Sequence, residues 1–285
     1  MNYRHAFHAG NFADVHKHSV LARILVHLCL KPAAFRFIDT HAGAGRYSLL
    51  GVEASRSGEW REGIARVWQA QRQTPPHPLL APYLACVAAC NPDGKLRVYP
   101  GSPLIAENLM RRQDRLVACE LEPRAASQLA ATLRGDRRAK ALEIDGWTAL
   151  GAFVPPKERR GVVLVDPPFE DAADYMRLTG ALSVAHRKWP SGIYVLWYPI
   201  KERGAPDALA RRLRALGAAR VLRCELTLGP LRSQAGLVGS GLVVVNPPFT
   251  LERDLQSFMP VLASLLSPDA ANRIDWLAGE RGPGG

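Results

Sequence analysis

No uninterrupted apolar stretch of this chain approaches the length of a membrane span, and no charged start followed by an apolar core opens it. A soluble, cytoplasmic protein is expected. Cysteine is sparse: Cys29, Cys86, Cys90, Cys119 and Cys224 are five in number, scattered, and mostly set in apolar runs. This pattern suits reduced core thiols and not a disulfide framework. Cys86 and Cys90 fall one helical turn apart, but no second Cys or His pair completes a zinc site. Acidic residues are in deficit, 26 against 37 Lys and Arg, giving a net charge of +11 and a sequence pI near 9.8. Such an excess favours a polyanionic partner, because each phosphate neutralised releases condensed counterions; on charge alone, a merely basic surface reads the same.

What the chain does have is enough apolar material for a core. Of 285 residues, 47% are hydrophobic and 22% charged, which excludes disorder of the whole chain. A polar, His-rich opening leads to Asn11 and Asp14, a helix-start pair, and the helix continues to about Leu30, where Lys31-Pro32 stops it. From Phe35 onward strands alternate with helical patterns: 35–39, 116–120, 140–144, 161–165 and 193–197, then two late runs at 219–228 and 242–245. This alternation predicts an α/β fold, a doubly wound, mostly parallel sheet with an antiparallel edge strand. About seventy residues separate the first two strands, far more than one crossover helix needs. Two helical patterns, around Trp60 to Trp68 and Pro78 to Cys90, fill the gap on either side of Pro75-Pro76-His77-Pro78. The crossover helix itself is expected at Ser102-Pro103, serine as N-cap and proline at the first helical position. The division expected is therefore residues 1–51 and 99–278 as the main domain, 52–98 as a small inserted helical subdomain, and 279–285 as a disordered tail.

The first strand runs into Asp39-Thr40-His41-Ala42-Gly43-Ala44-Gly45-Arg46. Glycines such as Gly43 let backbone pass close beneath a ligand at the carboxyl edge of a parallel sheet. A dinucleotide would call for a third glycine and an immediate helix. Ser48 stands at the third position and the helix is displaced, so a cofactor without phosphates fits better. The second strand ends at Glu120, placed to accept both hydroxyls of a ribose, although helix capping is the competing role there and Glu122 is equally suited to it. The third ends at Asp145-Gly146, where a carboxylate beside a flexible turn can meet an adenine amine.

The fourth strand ends in Val165-Asp166-Pro167-Pro168-Phe169. Methylating an aromatic amine is difficult because its lone pair is delocalised into the ring. An Asp side chain and a proline carbonyl can accept hydrogen bonds from the two N–H groups and favour a more tetrahedral nitrogen aimed at a sulfonium methyl. Asp166 and Pro167 are assigned those roles, and Phe169 is expected to stack on the extruded base. A second copy, Asn246-Pro247-Pro248-Phe249, is locally as good. If its strand is antiparallel, that copy lies on the wrong edge of the sheet, so Asn246 is read as a structural stop.

The chain resembles the RlmJ-type family of large-subunit ribosomal RNA adenine-N6 methyltransferases. The resemblance rests on Tyr3-Arg4-His5, Phe7 to Asn11, Ala13-Asp14-Val15, Lys17-His18, Asp39 to Tyr47, Tyr99 to Ala106, Arg160-Gly161, Asp166-Pro167-Pro168, Gly192-Ile193-Tyr194, Leu196 to Pro199, and Asn246-Pro247-Pro248, and it spans nearly the full length. It implies a Rossmann-like class I methyltransferase with S-adenosyl-L-methionine as cofactor and 23S rRNA as partner. Cofactor contacts are implied at His18, His41, Ser102, Glu120, Asp145 and Gly146, with Asp166 catalytic. Tyr3, His5 and Lys17 match the family's N-terminal segment near the target base. Phe169 departs from the tyrosine commoner in the broader adenine-methylase motif; stacking survives that change. No metal is expected, because no Cys or carboxylate cluster completes a site around the N-terminal histidines, and the protein is expected to be a monomer. DNA adenine methylation and non-catalytic RNA binding are the alternatives.

Overall fold

The computed structural model of the protein describes residues 4–170, 173–229 and 236–279. Tyr3, and all but the first residue of the Gly-rich tail, lie outside them. Helix α1 (Phe12–Cys29) begins where Asn11 accepts a hydrogen bond from the Asp14 backbone N–H at 3.0 Å. It is buried on nearly every side, so it is a core helix and carries its polar residues, Asp14, His16, Lys17 and His18, into the interior. Strands β1 (Arg36–Asp39) and β2 (Arg46–Ser48) follow, then the short helices α2 (Val52–Ser57), α3 (Ile64–Ala70) and α4 (Ala81–Ala89). Strand β3 (Val98–Pro100) pairs with β2, closing the excursion as an antiparallel hairpin that the sequence did not signal.

Helix α5 (Ser102–Leu109) starts where expected, but Gly101 is its N-cap and Ser102 is its first helical residue. The remaining elements alternate: β4 (Arg115–Glu120), α6 (Pro123–Thr132), β5 (Ala139–Glu143), α7 (Gly146–Ala152), β6 (Gly161–Val165), α8 (Ala173–Lys188), β7 (Ile193–Ile200), α9 (Gly204–Arg214), β8 (Val221–Thr227), β9 (Gly239–Val245), α10 (Leu251–Leu266) and β10 (Ala271–Ala278).

The main sheet has eight strands in the order β10-β8-β9-β7-β6-β1-β4-β5, and the five from β7 to β5 are mutually parallel. It is mostly parallel with an antiparallel edge, as expected, but the edge strand is β10. The run at 242–245 belongs to β9, which is antiparallel as its motif required yet lies inside the sheet, between β7 and β8. Strand β10 escapes sequence reading because its outer residues are half-exposed and lack an apolar run. Helices α1, α5, α6 and α10 cover one face and α7, α8 and α9 the other, each with its own core. Ile64, Trp68, Tyr83 and Val87 of residues 52–98 are continuous with the α1–α5–α10 core. The sheet order reverses beside β1, and that switch point is where folds of this type hold ligands.

At the β8–β10 edge a buried ion network replaces apolar packing. Arg223, 1% exposed, donates from Nε and Nη2 to Asp275 at 2.8 and 2.7 Å, directly across the strands. Neighbouring Glu225 accepts from Tyr198 at 2.8 Å and from Arg203 at 2.9 Å. Removing one partner of a buried pair leaves the other charge uncompensated. Arg223→Ala should therefore lower the unfolding free energy by about 3–5 kcal/mol in a denaturant titration. A loss below about 1 kcal/mol, the range of exposed pairs, would contradict burial of this network.

Candidate active site

Because β1, β4, β5 and β6 run parallel, their carboxyl ends share one edge, and a cavity of about 650 Å³ opens there. It brings together His5, Lys17, His18, His41, Gly43, Ser102, Glu120, Asp145, Gly146, Asp166 and Pro167. Its size lies within the range of cofactor sites.

The glycine turn is tied directly to the second strand. The Gly43 N–H donates to Glu120 Oε2 at 2.8 Å, and the Glu122 N–H donates to Oε1 at 2.9 Å. Gly43 has φ +59°, and a Cβ there would meet the Tyr47 hydroxyl at 2.0 Å, so only glycine fits. Glu122 takes the capping role on α6 through the Arg124 and Ala125 N–H groups, at 3.1 and 2.7 Å. Glu120 is thereby held in place with lone pairs left over for a ligand. Asp145 caps α7, accepting from the Thr148 N–H at 2.9 Å, and still faces the cavity. Burial pushes His41 down to about 4 and His18 to about 3, so both imidazoles are neutral at physiological pH. His18 Nδ1 is fixed 2.7 Å from the Tyr99 hydroxyl.

Two expected residues are not placed as the sequence suggested. Phe169 faces away from the cavity. With φ +48° its ring turns under the sheet edge and packs against Tyr175 and Trp197, at centroid distances of 4.8 and 5.7 Å. The ring expected to stack on a base is buried in the α8–α9 core instead, because the left-handed backbone at this position aims it inward. Ser102 is a cavity residue but not a helix cap, a position that Gly101 takes. The second motif copy is remote. The β9 strand reaches its end opposite the beginning of β7, at the sheet's other edge, where Asn246 Nδ2 donates to the Pro190 and Gly192 carbonyls at 2.7 and 2.8 Å.

Lys17 was expected near the cavity, and its ion pairs go further than that. Its ammonium donates to Asp166 Oδ2 and lies 2.9 Å from Asp14 Oδ1. The N-terminal segment carrying it is docked on residues 52–98: the Ile64 N–H donates to the Gly10 carbonyl at 2.8 Å, and the Asn11 amide donates to Glu59 at 3.0 Å.

Residues 32–278 match the family described as "Ribosomal RNA large subunit methyltransferase D, RlmJ". The "Ribosomal RNA large subunit methyltransferase J" of Escherichia coli K12 is 41% identical over 98% of this chain and 100% of its own length. The protein of that name from Haemophilus influenzae is 39% identical at the same coverage. The chain belongs to this RlmJ family. A crystal structure of protein LPL1258 from Legionella pneumophila superimposes with a TM-score of 0.87 at 33% identity, covering 94% of this chain and 98% of that one.

One functional candidate escaped the strand-end reading. Asp39 closes β1 just as Glu120 closes β4, and in the sequence it is indistinguishable from the start of the glycine turn. It is fully buried, and its Oδ2 has no hydrogen-bond partner among the described residues. Burial raises its carboxyl to about 7, with Asp166 adding to the shift and Ser102 opposing it. An unpartnered carboxylate beside the glycine turn suits a cationic ligand group. A folded-state value above the unfolded one means that stability is full below the unfolded carboxyl range and is lost as pH rises through about 7. In the cofactor-free protein, Asp39→Asn should therefore gain in Tm over the parent as pH rises from 5, levelling off above 7. A Tm difference that does not vary with pH would contradict this.

Proposed function

We infer that the protein is an S-adenosylmethionine-dependent methyltransferase acting on N6 of an adenine in 23S rRNA. The observation that carries this reading is the convergence of Gly43, Glu120 and Asp166 on one cavity, in a chain of the RlmJ family. The net charge of +11, with Arg4, Arg46, Arg124 and Arg177 lining the same cavity, suits a polyanionic acceptor.

The residues present fit the cofactor. Glu120 has free lone pairs for the ribose hydroxyls, Asp145 would accept from the adenine amine, and Asp39 offers a carboxylate with an open oxygen. His18, His41, Ser102 and Gly146 complete the surface that would hold it. When bound, the cofactor would supply an electrophilic methyl on a sulfonium; as N6 takes it up the C–S bond would break and one N6 proton would pass to solvent.

The chain's own part is orientation. Asp166 accepts a hydrogen bond from the target amine, the Pro167 carbonyl accepts the other, and the lone pair is turned out of the ring plane toward the methyl. His5 and Lys17, which line the cavity, are assigned to the target base, and Tyr3, outside the described residues, is assigned to the same role. Two assignments complete the reading: residues 52–98 form an inserted unit that docks this segment, and the enzyme works in the cytoplasm as a monomer.

The test is transfer of labelled methyl to deproteinised 23S rRNA from cells lacking the enzyme, with DNA as the comparison acceptor. Wild type should label RNA, and Asp166→Ala should lose at least about a hundredfold in rate. Label directed mainly to DNA, or undiminished by the substitution, would overturn the reading.

A further inference from the structure

One densely paired carboxylate behind the cavity has no part in the site described so far. Asp14, in the first turn of α1, has a side chain only 2% exposed. Its Oδ2 accepts from the Gly10 N–H at 2.9 Å and lies 3.0 Å from His5 Nε2, while Oδ1 is 2.9 Å from Lys17 Nζ. Its backbone N–H is held by Asn11 at 3.0 Å. Lys17, one turn later and 5% exposed, also donates to Asp166. One buried ammonium therefore spans two carboxylates, of which only Asp166 lines the cavity.

We propose that Asp14 is a positioning residue for methyl transfer: it keeps Lys17 paired while the target amine takes the ammonium's place on Asp166, and it fixes the His5 imidazole at the cavity wall. This rests on the reading that Asp166 receives the amine. Lys17 occupies Oδ2 of Asp166, so an adenine N–H that takes this oxygen displaces the ammonium. Leaving Asp166 without a second carboxylate at hand would strand a buried charge, which is strongly unfavourable. With Asp14 in place, Lys17 exchanges a shared ammonium for a single ion pair.

The electrostatics agree. Burial pushes the Asp14 carboxyl up, but His5 and Lys17 outweigh it and hold it well below the usual range. Burial likewise disfavours the Lys17 ammonium, yet Asp14 and Asp166 keep it charged. His5 is packed against Tyr47 at a centroid distance of 5.1 Å, so a fixed Asp14 oxygen sets the orientation of its ring.

The test compares wild type, Asp14→Asn, Lys17→Met and the double variant in the full-length protein. Asp14→Asn should lower kcat for 23S rRNA about a hundredfold, as misplacement of a reacting group does. KM and the calorimetric Kd for S-adenosylmethionine should stay within about threefold of the parent, because the cofactor contacts are untouched. The double variant should be no slower than the worse single one, as for residues that act as a unit. A kcat within about threefold of wild type, losses that multiply, or a parallel collapse of cofactor affinity would each overturn the proposal. A cofactor-free readout covers the case of a variant that does not fold. The ¹⁵N resonance of the Lys17 ammonium in wild type should move, at saturating adenosine, toward its position in Asp166→Asn; an unmoved resonance overturns the proposal. Full activity of Asp166→Asn would instead refute the assignment of Asp166, a separate failure.

Discussion

A charged amine cannot stand unpaired in a protein interior, and Lys17 is where that constraint organises this chain. It reaches the interior because α1 is buried on almost every side, and it stays charged there because Asp14 and Asp166 flank it. Asp14 comes from the same helix, Asp166 from the end of β6, more than a hundred residues away. A single ammonium thus joins the N-terminal segment to the Asp166-Pro167-Pro168 motif at the cavity. The clamp on the start of α1, from the Asn11 cap to the Gly10 and Glu59 contacts, holds that junction in place.

The two Pro-Pro motifs show why local sequence cannot assign a site. Asp166-Pro167-Pro168-Phe169 and Asn246-Pro247-Pro248-Phe249 are near copies, and Phe169 and Asn246 both have a positive φ. One follows a parallel strand and ends at the cavity; the other follows β9, which runs the opposite way, and ends at the far edge. There Asn246 spends its amide on two backbone carbonyls and serves as a brace. Strand direction alone separates the motif that reaches the cavity from the one that does not.

Residues 52–98 are better understood through what they hold than through where they are inserted. Their apolar side chains enter the α1–α5–α10 core, and their polar groups grip the turn before α1. Tyr83 and Tyr99 continue this link to His18 at the cavity wall, with the two hydroxyls 3.1 Å apart. This unit is thereby in contact with the N-terminal segment and, through the two tyrosines, with His18 of the cavity.

The strand-end carboxylates Glu120, Asp145 and Asp166, the Gly43 turn and the alternating α/β pattern were legible in the sequence, because parallel strands with apolar runs carry their functional residues at predictable ends. The extent of α1 was legible too, from the Asn11 cap and the Lys31-Pro32 stop. Other features required the tertiary structure. The β2–β3 hairpin and β10 are held by pairing partners and not by local apolar pattern. The inward turn of Phe169 is a backbone choice that no spacing encodes. The choice of Glu122 over Glu120 as helix cap, and of Asp39 and Asp14 as partners of the site, depends on which buried groups meet across elements. Burial, charge pairing and strand direction are properties of the assembled fold, and they decided how the residues named by the sequence were put to use.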